Sequence, residues 1–118
     1  ANINARLVAE ASARGIQLSA FQSNHEGALI DRLHLARQEG VRYVVVNAGG
    51  LAQTSVSLRD ALIAVGIPYI EVHLSNAHMR EPQRNHSLLS ARAVGTIAGL
   101  GNRGYDFAVA FALAQLVE

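Results

Sequence analysis

Residues 43–50 read Tyr-Val-Val-Val-Asn-Ala-Gly-Gly. The run Tyr43 to Val46 is continuously apolar and rich in β-formers, the pattern of a strand covered on both faces, and Gly49-Gly50 breaks it. On either side the period switches to that of a helix. Before it, Glu26 to Glu39 places Leu29, Ile30, Leu33 and Ala36 on one face and stops at Gly40. After it, Thr54 or Ser55 is positioned to cap a helix running through Leu58, Leu62 and Val65 to Gly66. Pro68 then opens a second strand, Tyr69 to Leu74. Helices on both sides of a doubly buried strand are the signature of a parallel sheet with right-handed crossovers.

The pattern extends to both ends. Ile3, Leu7, Val8 and Ala11 recur at helical spacing and stop at Gly15, and Ile16 to Phe21 alternates like a short strand. Ala93 to Ala98 is a weak strand signal, interrupted by Gly95, and Gly101 to Gly104 a turn. Tyr105 to Val117 reads as a closing helix, with Phe107, Phe111 and Leu116 roughly on one side. No repeat, linker or low-complexity segment divides the 118 residues, so residues 1–118 are expected to form a single domain.

Composition narrows the chemistry. Half of the residues are hydrophobic, enough for a core, and no apolar run is long enough to span a bilayer. The formal net charge of +1 argues for neither a nucleic-acid nor a membrane surface. No signal-peptide pattern opens the chain and cysteine is absent, which fits a cytoplasmic protein. All ten basic residues are arginine, so Schiff-base chemistry and a lysine base are excluded for these residues. Arginine is also the better partner for a planar carboxylate.

In a parallel α/β sheet, ligands bind at the carboxyl ends of the strands. Asn47 through Thr54 and His73 through Arg84 fall there. Glu71 and His73 lie two apart on a strand and so point to the same side. A carboxylate in that position can orient an imidazole and make it a usable acid near neutral pH; otherwise His73 simply ends a strand. Arg80 and Arg84, four apart, form an anion site if their segment turns helically, and a solvated basic surface if it does not. The spacing of His73, His78 and His86 matches no zinc motif. The run Gly99-Leu-Gly-Asn-Arg-Gly104 has the glycine spacing of a dinucleotide fingerprint. It lacks the following strand and acidic residue that such a site requires, and is read as a tight strand-to-helix turn.

Several stretches together resemble one family, the type II 3-dehydroquinate dehydratases. They are Gln22-Ser-Asn-His-Glu-Gly27, Asn47-Ala-Gly-Gly50 with Thr54-Ser-Val-Ser-Leu-Arg-Asp-Ala-Leu62, and Ile70-Glu-Val-His-Leu-Ser-Asn76. His78-Met-Arg-Glu81, His86-Ser87 and Gly99-Leu-Gly-Asn-Arg-Gly-Tyr105 complete the set, in the family's order over essentially the whole chain. The resemblance implies a flavodoxin-like three-layer α/β/α fold and a dodecamer built from trimers. It implies a cofactor-free, metal-free lyase that removes water from 3-dehydroquinate by anti elimination. In that scheme a tyrosinate takes a proton beside the ketone, an enolate forms, and a histidine protonates the departing hydroxyl. The reaction serves the shikimate pathway of aromatic biosynthesis, and also quinate breakdown.

Residue by residue, the resemblance makes His73 the proton donor and Glu71 its orienting partner. Asn47 matches a substrate-binding asparagine, and Leu74 and Ser75 match the pair that holds the substrate carboxylate. Arg84 matches an arginine bonding ring hydroxyls, and Arg80 one whose charge favours tyrosinate. Asp60 matches an acid reaching a neighbouring subunit's site. Gln53 stands where the family has histidine, and Ala52 where threonine is common; glutamine can still donate to a hydroxyl but carries no charge. The family's first, central strand and its lid bearing Arg and Tyr match nothing in these residues and are expected upstream. The competing reading is a catalytically inactive or ligand-binding flavodoxin-like module.

Overall fold

The structure, a computed structural model, describes residues 3–76 and 87–117. Among these residues, five α-helices and three strands follow one another as α1 (Ile3–Ala13), α2 (Glu26–Gln38), β1 (Val44–Val46), α3 (Leu51–Thr54), α4 (Val56–Val65), β2 (Tyr69–His73), β3 (Gly95–Ala98) and α5 (Arg103–Leu116), with a 3-10 turn at Ser90–Arg92. The strands form one parallel sheet in the order β1-β2-β3. Val46 is in register with Glu71, Glu71 with Thr96 and His73 with Ala98.

Strand alternation assigns the two faces. Val44, Val46 and Tyr69 pack with Leu33, Leu58, Leu62 and Leu89 under α2 and α4. Val45, Ile70, Val72 and Ile97 turn the other way, to Ala108 of α5, and α1 closes on α5 through Leu7, Ala11, Val109 and Leu113. The result is the expected flavodoxin-like three-layer arrangement. Burying side chains such as Leu58, Leu62, Leu89 and Val72 completely stabilises the fold by about 1.5–3 kcal/mol each.

Local signals explain the boundaries. Of the two candidate caps of α4 the structure uses Ser55, whose hydroxyl accepts the Leu58 N–H at 2.9 Å. Gly66 closes the helix in the left-handed conformation at φ 70°, which a residue with a Cβ adopts only under strain. Gly104 serves another purpose: a Cβ there would meet Val72 Cγ1 at 3.1 Å, so α5 lies close against β2.

Two expectations need correction. Ile16 to Phe21 is not a strand: none of the described residues offers it a ladder partner, so alternation alone leaves it irregular. Its period survives in burial, with Ile16 and Leu18 packed beside α1 and α5. The third strand begins at Gly95 instead of Ala93, because the chain first makes the 3-10 turn, and Val94 N–H bonds to Tyr69 C=O at 2.8 Å.

Candidate active site

Glu71 sits in the middle of β2 and is fully buried. A carboxylate removed from water needs compensating donors. Four side chains supply them. His73 Nε2 bonds to Oε2 at 2.6 Å, from the same face of the same strand. The Ser87 hydroxyl also donates to Oε2. Ser90, in the 3-10 turn, donates to Oε1 at 2.6 Å. Thr96, the register partner of Glu71 on β3, donates to Oε1 at 3.4 Å. Ser87 accepts the Leu89 N–H at 3.1 Å, which directs its own proton to the carboxylate.

The neighbouring strand ends converge on this cluster. Asn47 follows Val46, the register partner of Glu71, so it stands at the carboxyl end of β1 beside that of β2. Its amide is held at both atoms: Oδ1 accepts the Gly49 N–H at 3.1 Å, and Nδ2 donates to Tyr105 Oη at 2.8 Å. Leu74 and Ser75 continue from His73 as exposed residues. The backbone there is fixed by Gly99 N–H to His73 C=O at 3.2 Å and Gly101 N–H to Leu74 C=O at 2.9 Å. Gln53 is half-buried in α3. The adjacent Ala52 C=O accepts the Leu88 N–H at 2.7 Å, which ties α3 to the segment carrying Ser87. Open hollows at Val8, Ser12 and Gly15–Leu18, and at His34, Arg37 and Gln38, share no residue with the cluster.

An imidazole backed by a buried, hydrogen-bonded carboxylate, at the same edge of the sheet as an oriented amide, is a site for proton transfer to a polar ligand. Among the described residues, no group of three or more His, Cys, Asp or Glu could hold a metal ion.

Comparison with known proteins shows the family. The family model "Dehydroquinase class II" matches residues 1–113. The chain belongs to the class II dehydroquinase family. It is 58% identical over 115 residues to the 3-dehydroquinate dehydratase of Ralstonia pickettii (strain 12J), covering 98% of this chain and 74% of that protein. Against the Acinetobacter baumannii (strain ATCC 17978) 3-dehydroquinate dehydratase the identity is 53%, covering 98% and 76%. Among solved structures, the type II dehydroquinase of Propionibacterium acnes superposes with TM-score 0.86 at 34% identity, over 94% of this chain and 76% of that one. A 3-dehydroquinate dehydratase-like protein from Bifidobacterium longum gives 0.73 at 26% identity, over 98% and 86%.

Within this dehydroquinase, the structure brings Glu71, His73, Leu74, Ser75 and Asn47 to adjoining strand ends, with Gln53 on the connected helix α3. Asp60 is elsewhere: it is exposed on α4 and paired with Arg59 at 3.0 Å, while Leu58, Ala61 and Leu62 face the core. Arg80 and Arg84 lie outside the described residues, as do His78 and His86. Each tyrosine hydroxyl or ring is committed to the fold. Tyr69 is buried and donates to Leu89 C=O, Tyr105 accepts from Asn47, and Tyr43 packs against the core cluster of Ile70, Val72 and Ala108. Burial pushes the Tyr43 phenol above its ordinary value, and burial together with the Glu71 charge pushes up that of Tyr69, with Arg92 opposing. Both shifts disfavour a phenolate. Sequence reasoning assigned no role to Ser87, Ser90, Thr96 or Tyr105. The signal was indirect: a glutamate inside an apolar strand must find donors somewhere.

Proposed function

We propose that this dehydroquinase removes water from 3-dehydroquinate by anti elimination through an enolate, giving 3-dehydroshikimate, with His73 as general acid. The observation that carries the reading is the Glu71–His73 pair at the carboxyl edge of the sheet, 2.6 Å apart and backed by a buried carboxylate. The names of the relatives, 3-dehydroquinate dehydratases at 53–58% identity, supply the substrate. The base is a tyrosinate upstream of Ala1, since Tyr43, Tyr69 and Tyr105 are all engaged in the fold. An upstream strand would pair the side of β1 that no described residue covers.

Asn47, Gln53, Leu74 and Ser75 hold the substrate, and Arg84 and Arg80 complete the anion site and favour the tyrosinate. Asp60 faces away from its own core, as a residue reaching a neighbouring subunit must. The working form is a dodecamer of trimers. The reaction needs no cofactor and runs in the cytoplasm, within the shikimate pathway.

The test is to mix the full-length protein with 3-dehydroquinate and follow ultraviolet absorbance of the conjugated enone. A steady rise is expected. No rise, with ligand still bound, would instead favour the inactive or ligand-binding relative.

A further inference from the structure

Glu71 has two carboxylate oxygens and four donors, and their distribution is asymmetric. Ser90 and Thr96 both bond to Oε1, at 2.6 and 3.4 Å. Ser87 and His73 share Oε2. The hydroxyls come from three separate pieces of backbone: the residue before Leu88, the 3-10 turn, and β3. Together they fix the plane of the carboxylate and leave one lone-pair direction for the imidazole. A carboxylate that already accepts three hydroxyl protons is an acceptor toward its fourth neighbour, so His73 must present Nε2 as N–H. The ring's other nitrogen, Nδ1, then has no partner among the described residues and is the one left to meet a ligand.

We propose that Ser87, Ser90 and Thr96 are positioning residues that set the tautomer of His73, and that Nδ1 is the atom that delivers the proton. This rests on the dehydration reading above. In the step the reacting ring is the imidazolium, with its second proton taken from water at Nδ1; the Nδ1–H bond breaks, its proton goes to the departing hydroxyl, and the neutral Nε2–H tautomer remains. The C–O bond breaks with its electron pair on oxygen, the enolate pair re-forms the ketone and makes the new C=C, and water leaves. Nδ1 keeps the electrons of its N–H bond, while Nε2–H stays on Glu71 throughout. A cage of hydroxyls makes this directional: with Nε2 held, the ring cannot flip to present the wrong nitrogen.

The test uses the full-length protein and Ser90→Ala, Thr96→Val, the double variant and Ser90→Thr, which keeps a hydroxyl. Nitrogen-15 NMR of the His73 ring should show the neutral wild type protonated at Nε2. Ser90→Ala should lower kcat by about 10-fold, in the range for loss of a supporting hydrogen bond behind a functional histidine. KM should stay within about twofold, since the hydroxyl touches no substrate, and the pH profile of kcat should move. The double variant should lose more and mix the two tautomers, and Ser90→Thr should recover most of the rate. Circular dichroism checks that each variant is folded. A neutral wild-type ring protonated at Nδ1 would overturn the proposal. So would a folded double variant with wild-type kcat, pH profile and ring signals. If the wild type turns over no 3-dehydroquinate, the functional reading fails, and the ring signals still decide whether the hydroxyls set the tautomer.

Discussion

The two faces of β2 carry different duties. On one, Ile70 and Val72 pack on Ala108, and Gly104 lets α5 lie close; every group is apolar. On the other, Tyr69, Glu71 and His73 form a polar column that is buried at Tyr69 and Glu71 and opens only at its end, at a partly accessible His73. Each polar group in that column is answered: Tyr69 by Leu89 C=O, Glu71 by three hydroxyls and His73 by Glu71. The apolar face gains stability from area removed from water. On the polar face hydrogen bonds merely offset the cost of burial, so what it adds is orientation. Substitutions on the two faces should therefore report through different measurements.

The largest separation is expected from His73→Ala. Loss of a general acid should lower kcat by about 10²–10⁴-fold. The side chain is one of four donors to the buried Glu71 carboxylate, so a stability loss of about 1–3 kcal/mol should accompany it, while the three hydroxyl donors keep the chain folded. Enone absorbance and thermal unfolding on one sample check both halves. The mirror case is Leu113→Ala, in the cluster where α5 meets α1. Emptying that site should cost about 2–4 kcal/mol of stability, read as a lower urea midpoint. The kcat of the folded fraction should be unchanged. Equal losses of activity and stability in either variant would mean that the two faces are not separable.

Tyr69→Phe lies between these extremes, because it removes a polar atom from the buried start of the column. It leaves the Leu89 carbonyl without its donor and should cost about 1–2 kcal/mol at neutral pH. It also carries a pH signature. Burial first, and the Glu71 charge second, raise the Tyr69 phenol above its ordinary value near ten, against a smaller opposing effect of Arg92. A raised value means that the folded state binds the proton more tightly than the unfolded chain. The resulting stability is fully present below about pH 10 and lost as pH rises above it. Tyr43, raised by burial, contributes in the same sense. Urea titrations from neutral to strongly alkaline pH should show the wild type losing stability more steeply than Tyr69→Phe. Parallel curves would remove Tyr69 from the account.

How far these features were legible in the sequence depends on the span of the interaction. The run Tyr43 to Val46 and the stop at Gly66 are local, and so is the same-side placement of Glu71 and His73; each follows from period or backbone freedom. The helix α3 was missed because Leu51–Thr54 is too short to show a period. Ile16 to Phe21 carried a correct alternation but an incorrect element, since a strand is defined by its partner and not by its own residues. The Glu71 donors Ser87, Ser90 and Thr96 lie 16, 19 and 25 residues away, and Tyr105 lies 58 from Asn47. No local rule reaches that far. Only the requirement for such donors was visible, in a carboxylate placed between Ile70 and Val72.

The smallest effect expected is on the outer side of the apolar face, where Arg6 of α1 meets Asp106 in the first turn of α5 at 2.6 Å. Asp106 also lies where a helix favours negative charge, so its placement is favourable without the arginine. Arg6 is half-exposed and shared with Glu10 at 3.5 Å, so water screens the pair and the side chain surrenders entropy to make it. Arg6→Ala should therefore cost only about 0.2–1 kcal/mol. The cost should shrink toward zero in 1 M salt, where the screening length is about 3 Å. A loss that persists at high salt would show that packing of the arginine stem, and not its charge, holds the two helices together. Thermal unfolding of wild type and Arg6→Ala at low and high salt distinguishes the two, and in both cases kcat should stay at the wild-type value because the pair lies on the face that carries no polar column.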